Sequence, residues 1–184
     1  DPLKGSKFYA SEGGQKVPTI FWWPNTIIPS EVDALGSTLD VFNTALSLAG
    51  ISDPLIRAID SHDLSPVLFH QSASPRSEFY YFSSFIEPRG RIYAMRKGDW
   101  KAHFYESRAP EYYNPNSIIK HPRPKLYNLK EDPGENTNLA EAYPHILKDL
   151  EKECDAFSQA IRSSIAPNCY SKKILHQVRP DWAQ

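Results

Sequence analysis

Cysteine, methionine and glycine are all scarce: the 184 residues hold two, one and eight of them. Cys154 and Cys169 leave the compartment open, because a disulfide between them would close a small loop and two reduced thiols read equally well. No charge of one sign prevails. The 21 Lys and Arg against 22 Asp and Glu give a net charge of −1, which removes the basic footprint that binding to nucleic acid or anionic lipid needs. No apolar run approaches the ~18 residues of a membrane-spanning helix. No Asn-x-Ser/Thr sequon occurs. Self-sufficient catalytic machinery is missing too: there is no Walker loop, GxGxxG, HExxH, Gly-x-Ser-x-Gly or CxxC pair. The six histidines, at 62, 70, 103, 121, 145 and 176, do not fall at metal-ligand spacing. Asp1-Pro2-Leu3-Lys4-Gly5 is neither an initiator-Met start nor a signal peptide, and it reads as the interior of a longer chain.

What is present is an ordinary globular composition, 40% hydrophobic and 23% charged, long enough for one domain or one and a fraction. Ten Tyr, nine Phe and four Trp are enough to dominate the core energetics, and 16 Pro point to many fixed turns. Residues 1–16 read as a loop ending in the tight Glu12-Gly13-Gly14 turn. The apolar run Val17–Trp23, stopped by Pro24, predicts a strand buried on both faces, with Trp22 and Trp23 in the core. Ser37 with Asp40 resembles a capping box and Gly50 a helix terminator, so a helix is expected over 38–49. Strand then helix is α/β grammar.

After Pro54 the grammar changes. Phe79–Phe82, Arg91–Arg96, Trp100–Phe104 and Lys125–Leu129 are short aromatic-rich strands, with Lys97-Gly98-Asp99 as a hairpin turn. A small four-stranded antiparallel sheet follows from them. Residues 105–124 hold four prolines and read as a long loop, whose aromatic and cationic side chains suit recognition of a substrate's leaving group. Pro144 opens a final helix over 144–162 with Ile146, Leu147, Leu150, Cys154, Phe157 and Ile161 on one stripe, so the helix should lie on the sheet with Cys154 in the core. The tail after Pro167 is irregular. The fold class expected is α+β, with 1–55 the end of a larger α/β domain and 56–184 a small C-terminal α+β subdomain.

Chemistry concentrates at the start. Pro2-Leu3-Lys4-Gly5-Ser6-Lys7-Phe8-Tyr9-Ala10-Ser11-Glu12-Gly13-Gly14-Gln15-Lys16-Val17-Pro18 resembles the sulfatase pattern "PLRGGKGSxYEGGxRVP" without a gap. In order, Ser37-x-x-Asp40…Leu48-Ala49-Gly50, Ile59–Leu68, Tyr93–Phe104 and Leu126–Leu139 are similar to the family's "SxxDxxPT…LAG", "IDGxDLSPVL", "YAxRxGxxKAHF" and "LYDLxxDPGExxNL". Each is weak alone; five in order are strong. The arylsulfatase branch of this alkaline-phosphatase-like superfamily is the nearest in character. Three departures stand out: Lys16 where Arg is usual, Asn43 in place of Pro, and Ser61-His62 in place of a Gly-containing pair.

The resemblance implies sulfate-ester hydrolysis by a nucleophilic formylglycine, made in a C/S-x-P-S/A-R motif, with calcium bound by upstream Asp and Asn. Neither cysteine matches that motif, so the resemblance assigns formylglycine and calcium to an upstream α/β domain of the same polypeptide and predicts no activity for these 184 residues alone. Lys7 takes the place of the lysine that contacts the sulfate, where a fixed ammonium stabilises the charge that builds as the S–O bond breaks; the bland alternative is a solvated loop lysine. Lys4 is a lesser, substrate-binding candidate. His103 is another, against a structural role. Glu12, Gly13 and Gly14 read as scaffold for the loop, and Asp132-Pro133-Gly134-Glu135 as a β-turn rather than a calcium loop. The resemblance favours a secreted, periplasmic or lysosomal location over the cytoplasm and leaves room for a homo-oligomer. A phosphoester or phosphonate hydrolase of the same superfamily, or a non-catalytic module binding sugar or protein, are the rival readings.

Overall fold

The computed structural model describes residues 3–7, 9–51, 60–82, 92–107 and 118–164. Arg91, Arg108, Tyr112, Tyr113, Cys169 and the tail after Pro167 lie outside the described residues. Four strands, β1 (Glu78–Phe82), β2 (Ile92–Lys97), β3 (Trp100–Ser107) and β4 (Ile118–Asn128), form one antiparallel sheet in sequential order. A two-residue link, Gly98-Asp99, joins β2 to β3, and Gly98 takes the positive φ of +56° that such a tight turn requires. Helix α4 (Pro144–Ser164) crosses one face, as its apolar stripe predicts.

Strand pairing sorts the side chains into two faces, because directly opposed residues share a side of the sheet. The row Tyr80–Met95–Ala102–Leu126 faces α4. There it packs with Leu150, Cys154 and Phe157, and Tyr80 stacks on Phe157 at 3.8 Å between ring centroids. Each fully buried side chain of this kind contributes about 1.5–3 kcal/mol. Burial pushes the Cys154 thiol up to about 11, with Asp155 and Glu151 adding to the rise, so it behaves as a core residue. The rows Phe79–Arg96–Lys101–Tyr127 and Tyr81–Ala94–His103–Lys125 lie on the opposite face.

Three short helices precede the sheet or lead into it: α1 (Glu12–Gln15), α2 (Asp40–Leu48) and α3 (Ser65–His70). The expected box at the start of α2 is half present: Asp40 accepts the Ser37 amide at 2.8 Å, while Ser37 Oγ accepts the Leu39 amide. At the other end, Gly50 N–H bonds Ser47 C=O and Ile51 N–H bonds Leu46 C=O, a Schellman stop with Gly50 at φ +69°. Asp40 is wholly buried because Arg76 grips it through Nε at 2.9 Å and Nη2 at 2.5 Å, and the His62 amide adds a fourth bond. Two of the departures from the sulfatase pattern prove to be partners: the Asn43 amide donates to Ser61 Oγ at 3.0 Å and Asn43 Nδ2 to Ser61 C=O at 2.7 Å. A proline at 43 has no N–H to give and a glycine at 61 has no hydroxyl to receive one.

The structure corrects three expectations. Val17–Trp23 is not a buried strand: no residue of it pairs, Ile20 is 89% and Trp22 82% exposed, and Trp23 touches Phe69 edge-on at its rim. A strand needs a ladder partner, and apolar sequence alone does not supply one. Trp22 and Trp23 therefore lie outside the core and line an open apolar groove with Phe21, Val41, Leu48 and Phe69. Within the loop expected over 105–124, the described residues 105–107 and 118–124 are strand, since β3 runs to Ser107 and β4 begins at Ile118, while 108–117 lie outside the described residues. Pro122 and Pro124 fit because β4 is an edge strand and the pairing jumps from Tyr105↔Lys120 to His103↔Lys125, so residues 121–124 bulge where no ladder N–H is needed. Helix α3 was not anticipated, although Asp63 accepts both the amide and the hydroxyl of Ser65 at its start and Pro66 follows.

Candidate functional site

Loop 3–16 folds back on itself so closely that glycine is required. The Gly13 amide donates to Lys4 C=O at 2.8 Å, and a Cβ on Gly13 would stand 2.6 Å from that oxygen. A Cβ on Gly14 would stand 2.4 Å from Tyr9 C=O. One helical turn, α1, ends the loop with Lys16 N–H on Glu12 C=O. Lys7 is exposed in the turn that Tyr9 N–H closes on Ser6 C=O.

This loop lies on the sheet face that carries charge. Glu12, Lys101, His103 and Glu135 are all buried there, Lys101 completely. Lys101 Nζ stands 2.7 Å from Glu12 Oε1 and 3.3 Å from Glu135 Oε1, over the Tyr81 ring at 4.4 Å. His103 Nε2 stands 2.6 Å from Glu135 Oε1, and the other carboxylate oxygen accepts the Glu12 amide at 2.7 Å. Arg96 approaches Glu12 at 3.8 Å. Lys4 Nζ donates to the Glu135 carbonyl at 3.3 Å and overhangs Tyr127. Glu12, Glu135 and Lys101 each have an opposite charge in contact, which a buried ionic group requires.

Burial alone would raise the Glu135 carboxyl, but the His103 bond and the Lys101 charge outweigh it and hold it below the usual carboxylate range. Burial also pushes the His103 imidazole below its ordinary value, aided by Lys101 and Lys4 and opposed by Glu135. An ionised carboxylate only accepts, so the short contact makes Nε2 the protonated nitrogen of a neutral ring. His103 meets Tyr127 edge-on.

Of the sequence candidates, then, Lys4 and His103 meet at Glu135, and Lys7 is carried exposed on the loop that Glu135 and Lys101 hold down. Asp132–Glu135 is a turn, closed by Glu135 N–H on Asp132 C=O, with Asp132 accepting the amides of Asn136 and Thr137. Reading it only as a turn missed that Glu135 points inward as the hub of the cluster. So did reading Lys101 only as part of a motif. The signal was there: Lys101 and His103 alternate with Trp100, Ala102 and Phe104, so one face of a half-buried strand is cationic and needs acids above it. Among the described residues no group of three or more acidic, His or Cys side chains fits a metal ion. Between Glu12 and Glu135 the Lys101 ammonium already sits among the carboxylates, so calcium does not fit there.

A family model described as the C-terminal region of aryl-sulfatase matches residues 74–180, and a second, Sulfatase, matches residues 1–51. The chain belongs to the sulfatase family. Its sulfatase relatives include human arylsulfatase A, 34% identical over 82% of this chain, and N-acetylgalactosamine-6-sulfatase of Sus scrofa, 32% identical over 99%. The chain spans about a third of the length of these relatives, 32% and 37%. A solved sulfatase of Pseudoalteromonas sp. superposes with a TM-score of 0.73 over 92% of this chain and 34% of its own length, at 24% identity. A Bacteroides thetaiotaomicron sulfatase, solved in work on metabolism of multiple glycosaminoglycans, gives 0.66 over 85% of this chain and 32% of its own, at 26%. The sheet under α4 is thus a sulfatase fold.

Proposed function

We propose that this chain is the C-terminal part of a sulfatase that hydrolyses sulfate esters, with Lys7 contacting the sulfate. The observation that carries the reading is the loop itself: a family pattern without a gap presents an exposed ammonium on backbone pinned by buried ion pairs. A charge so held stabilises the negative charge that develops on the sulfuryl and ester oxygens, without reorganising at the moment of reaction. Lys4 and His103 are the substrate-binding candidates. Lys4 is the more accessible of the two, since His103 is buried and its Nε2 is committed to Glu135. The names of the two curated relatives above, both sulfatases, support sulfate over phosphate.

The nucleophile and the calcium that sulfatases use are assigned here to the part of the polypeptide outside these residues. An upstream α/β domain is proposed to cover the apolar surface of residues 17–51, where Ile20, Trp22 and Phe42 are exposed. The boundary is placed near residue 55, a choice supported by the two family models matching on either side of it. A secreted, periplasmic or lysosomal location rests on family membership; no helix among the described residues is long and apolar enough to cross a membrane.

The test is turnover of an aryl sulfate by the full-length polypeptide. Lys7→Ala should lower kcat by ~10²–10³ while folding is kept, as loss of one placed electrostatic contact does. Lys4→Ala should do much less. Equal, small effects of the two would overturn the assignment, and activity of the 184 residues alone would overturn the division of labour.

A further inference from the structure

We infer that Glu135 and Lys101 are positioning residues, whose buried cluster fixes loop 3–16 and through it the Lys7 ammonium. The inference rests on the sulfatase reading above. Glu135 grips the loop at two points that bracket Lys7: its carboxylate takes the Glu12 amide at 2.7 Å, and its carbonyl takes Lys4 Nζ at 3.3 Å. Lys101 adds a third hold through the Glu12 carboxylate. Between the brackets, Gly13 N–H on Lys4 C=O ties the two ends of the loop to each other. Lys7 therefore sits in a closed ring of backbone that buried acids and bases of this cluster hold down. Both anchors come from more than 85 positions along the chain, since Glu12 meets Lys101 89 residues on and Glu135 123 residues on. Neither Glu135 nor Lys101 is exposed, so neither is placed to touch substrate. Their influence runs through where Lys7 stands, and a displacement of about 1 Å in a placed group costs up to about 10²-fold in rate.

A double-mutant cycle in the full-length polypeptide, read with an aryl sulfate, separates positioning from simple stability. Glu135→Gln keeps the volume and an acceptor for the Glu12 amide but removes the charge that holds Lys101 and His103. It should lower kcat about 10-fold, with KM changed less than about 2-fold. In a Lys7→Ala background the same change should cost less than about 2-fold, because nothing is left to position. Lys101→Met should repeat the loss and Lys101→Arg restore most of it. Equal losses in both backgrounds, or no loss from Glu135→Gln, would overturn the inference. Should Glu135→Gln fail to fold, Gly13→Ala displaces the same loop from the other side by meeting Lys4 C=O, and its loss should likewise vanish with Lys7 gone. If Lys7→Ala itself leaves turnover intact, the sulfatase assignment of Lys7 fails instead. Hydrogen exchange then judges the clamp: amides of Glu12, Gly13 and Gly14 speeding about 10-fold in Glu135→Gln, with Met95 and Ala102 unchanged, support it, and an unchanged loop overturns it.

Discussion

Under α4 the sheet presents Tyr80, Met95, Ala102 and Leu126, while its other face presents Arg96, Lys101, His103 and Tyr127 to the loop that carries Lys7. The first face is held by area removed from water, which is non-directional and tolerates small shifts in what covers it. The second is held by a few atoms at defined distances, and it fails if any one of them is lost. The difference matches what each face must do. A helix need only cover a core, whereas a loop that holds one ammonium in place, as proposed for Lys7, needs contacts that permit a single register.

The strongest way to break this comparison is to treat the charged face as though it were apolar. Lys101→Met leaves Glu12 and Glu135 buried without their shared cation and should destabilise the protein by about 3–5 kcal/mol. Adding Glu12→Gln and Glu135→Gln should regain most of that loss, since an uncharged cluster leaves no buried charge unpaired. Urea denaturation followed at the sheet tryptophan, Trp100, measures both. Tolerance of Lys101→Met alone would mean that the two faces are held in the same way.

On the apolar face, Leu150→Ala removes a side chain that is 2% exposed and should cost about 2–4 kcal/mol. The loss should appear as faster exchange throughout β2 and β3, with loop 3–16 no more affected than the strands. A loop that loosened first would show that α4 supports the charged face as well.

How far each face could be read from sequence follows from the same contrast. The stripe of α4, the turn at Gly98 and the strand cores were legible because periodicity reports burial directly. The family pattern singles out Lys4, Lys7 and His103 as candidates, and the structure brings Lys4 and His103 together at Glu135. Glu135 as a hub was not, because its partners lie 32 and 123 residues away and a turn motif describes only its neighbours. Val17–Trp23 misled for the opposite reason: local apolarity says that a segment wants cover, and says nothing of whether a partner is there. Pro122 and Pro124 hid a strand because a bulge excuses them, and bulges are a property of the pairing rather than of either strand.

Acid should undo the charged face before the apolar one. The His103 pKa is depressed in the folded state, so between that value and its unfolded 6.5 the unfolded chain binds more protons and stability rises with pH. That contribution is complete above about 6.5 and is lost as pH falls through the folded value. Glu135 and Asp40 are also depressed, Asp40 because Arg76 and two backbone amides outweigh its burial, and their contributions go at still lower pH. A melting profile from pH 7.5 downward should therefore begin to fall near 6.5. His103→Gln should remove that first step and keep the one set by Asp40. A profile flat to pH 5 would mean that His103 does not sense its neighbours.

The smallest effect sharpens the comparison most, because it uses the same residue type in the same sheet. Lys97 lies on the α4 side and pairs with Glu153 of that helix, but the two side chains are 48% and 38% exposed. Water screens such a pair and holding two long side chains together costs entropy, so Lys97→Met should change stability by about 0.5 kcal/mol or less. Raising the salt concentration should erase even that, since exposed charges are screened over about 10 Å at moderate ionic strength. The Lys101→Met penalty should survive the salt, because no ion reaches a side chain sealed between Glu12, Glu135 and Tyr81. Paired urea titrations of the two variants at low and high salt decide it: a salt-sensitive Lys101 effect, or a Lys97 effect of comparable size, would place both lysines at the surface in energetic terms. The clamp on loop 3–16 would then be no stronger than an ordinary surface ion pair.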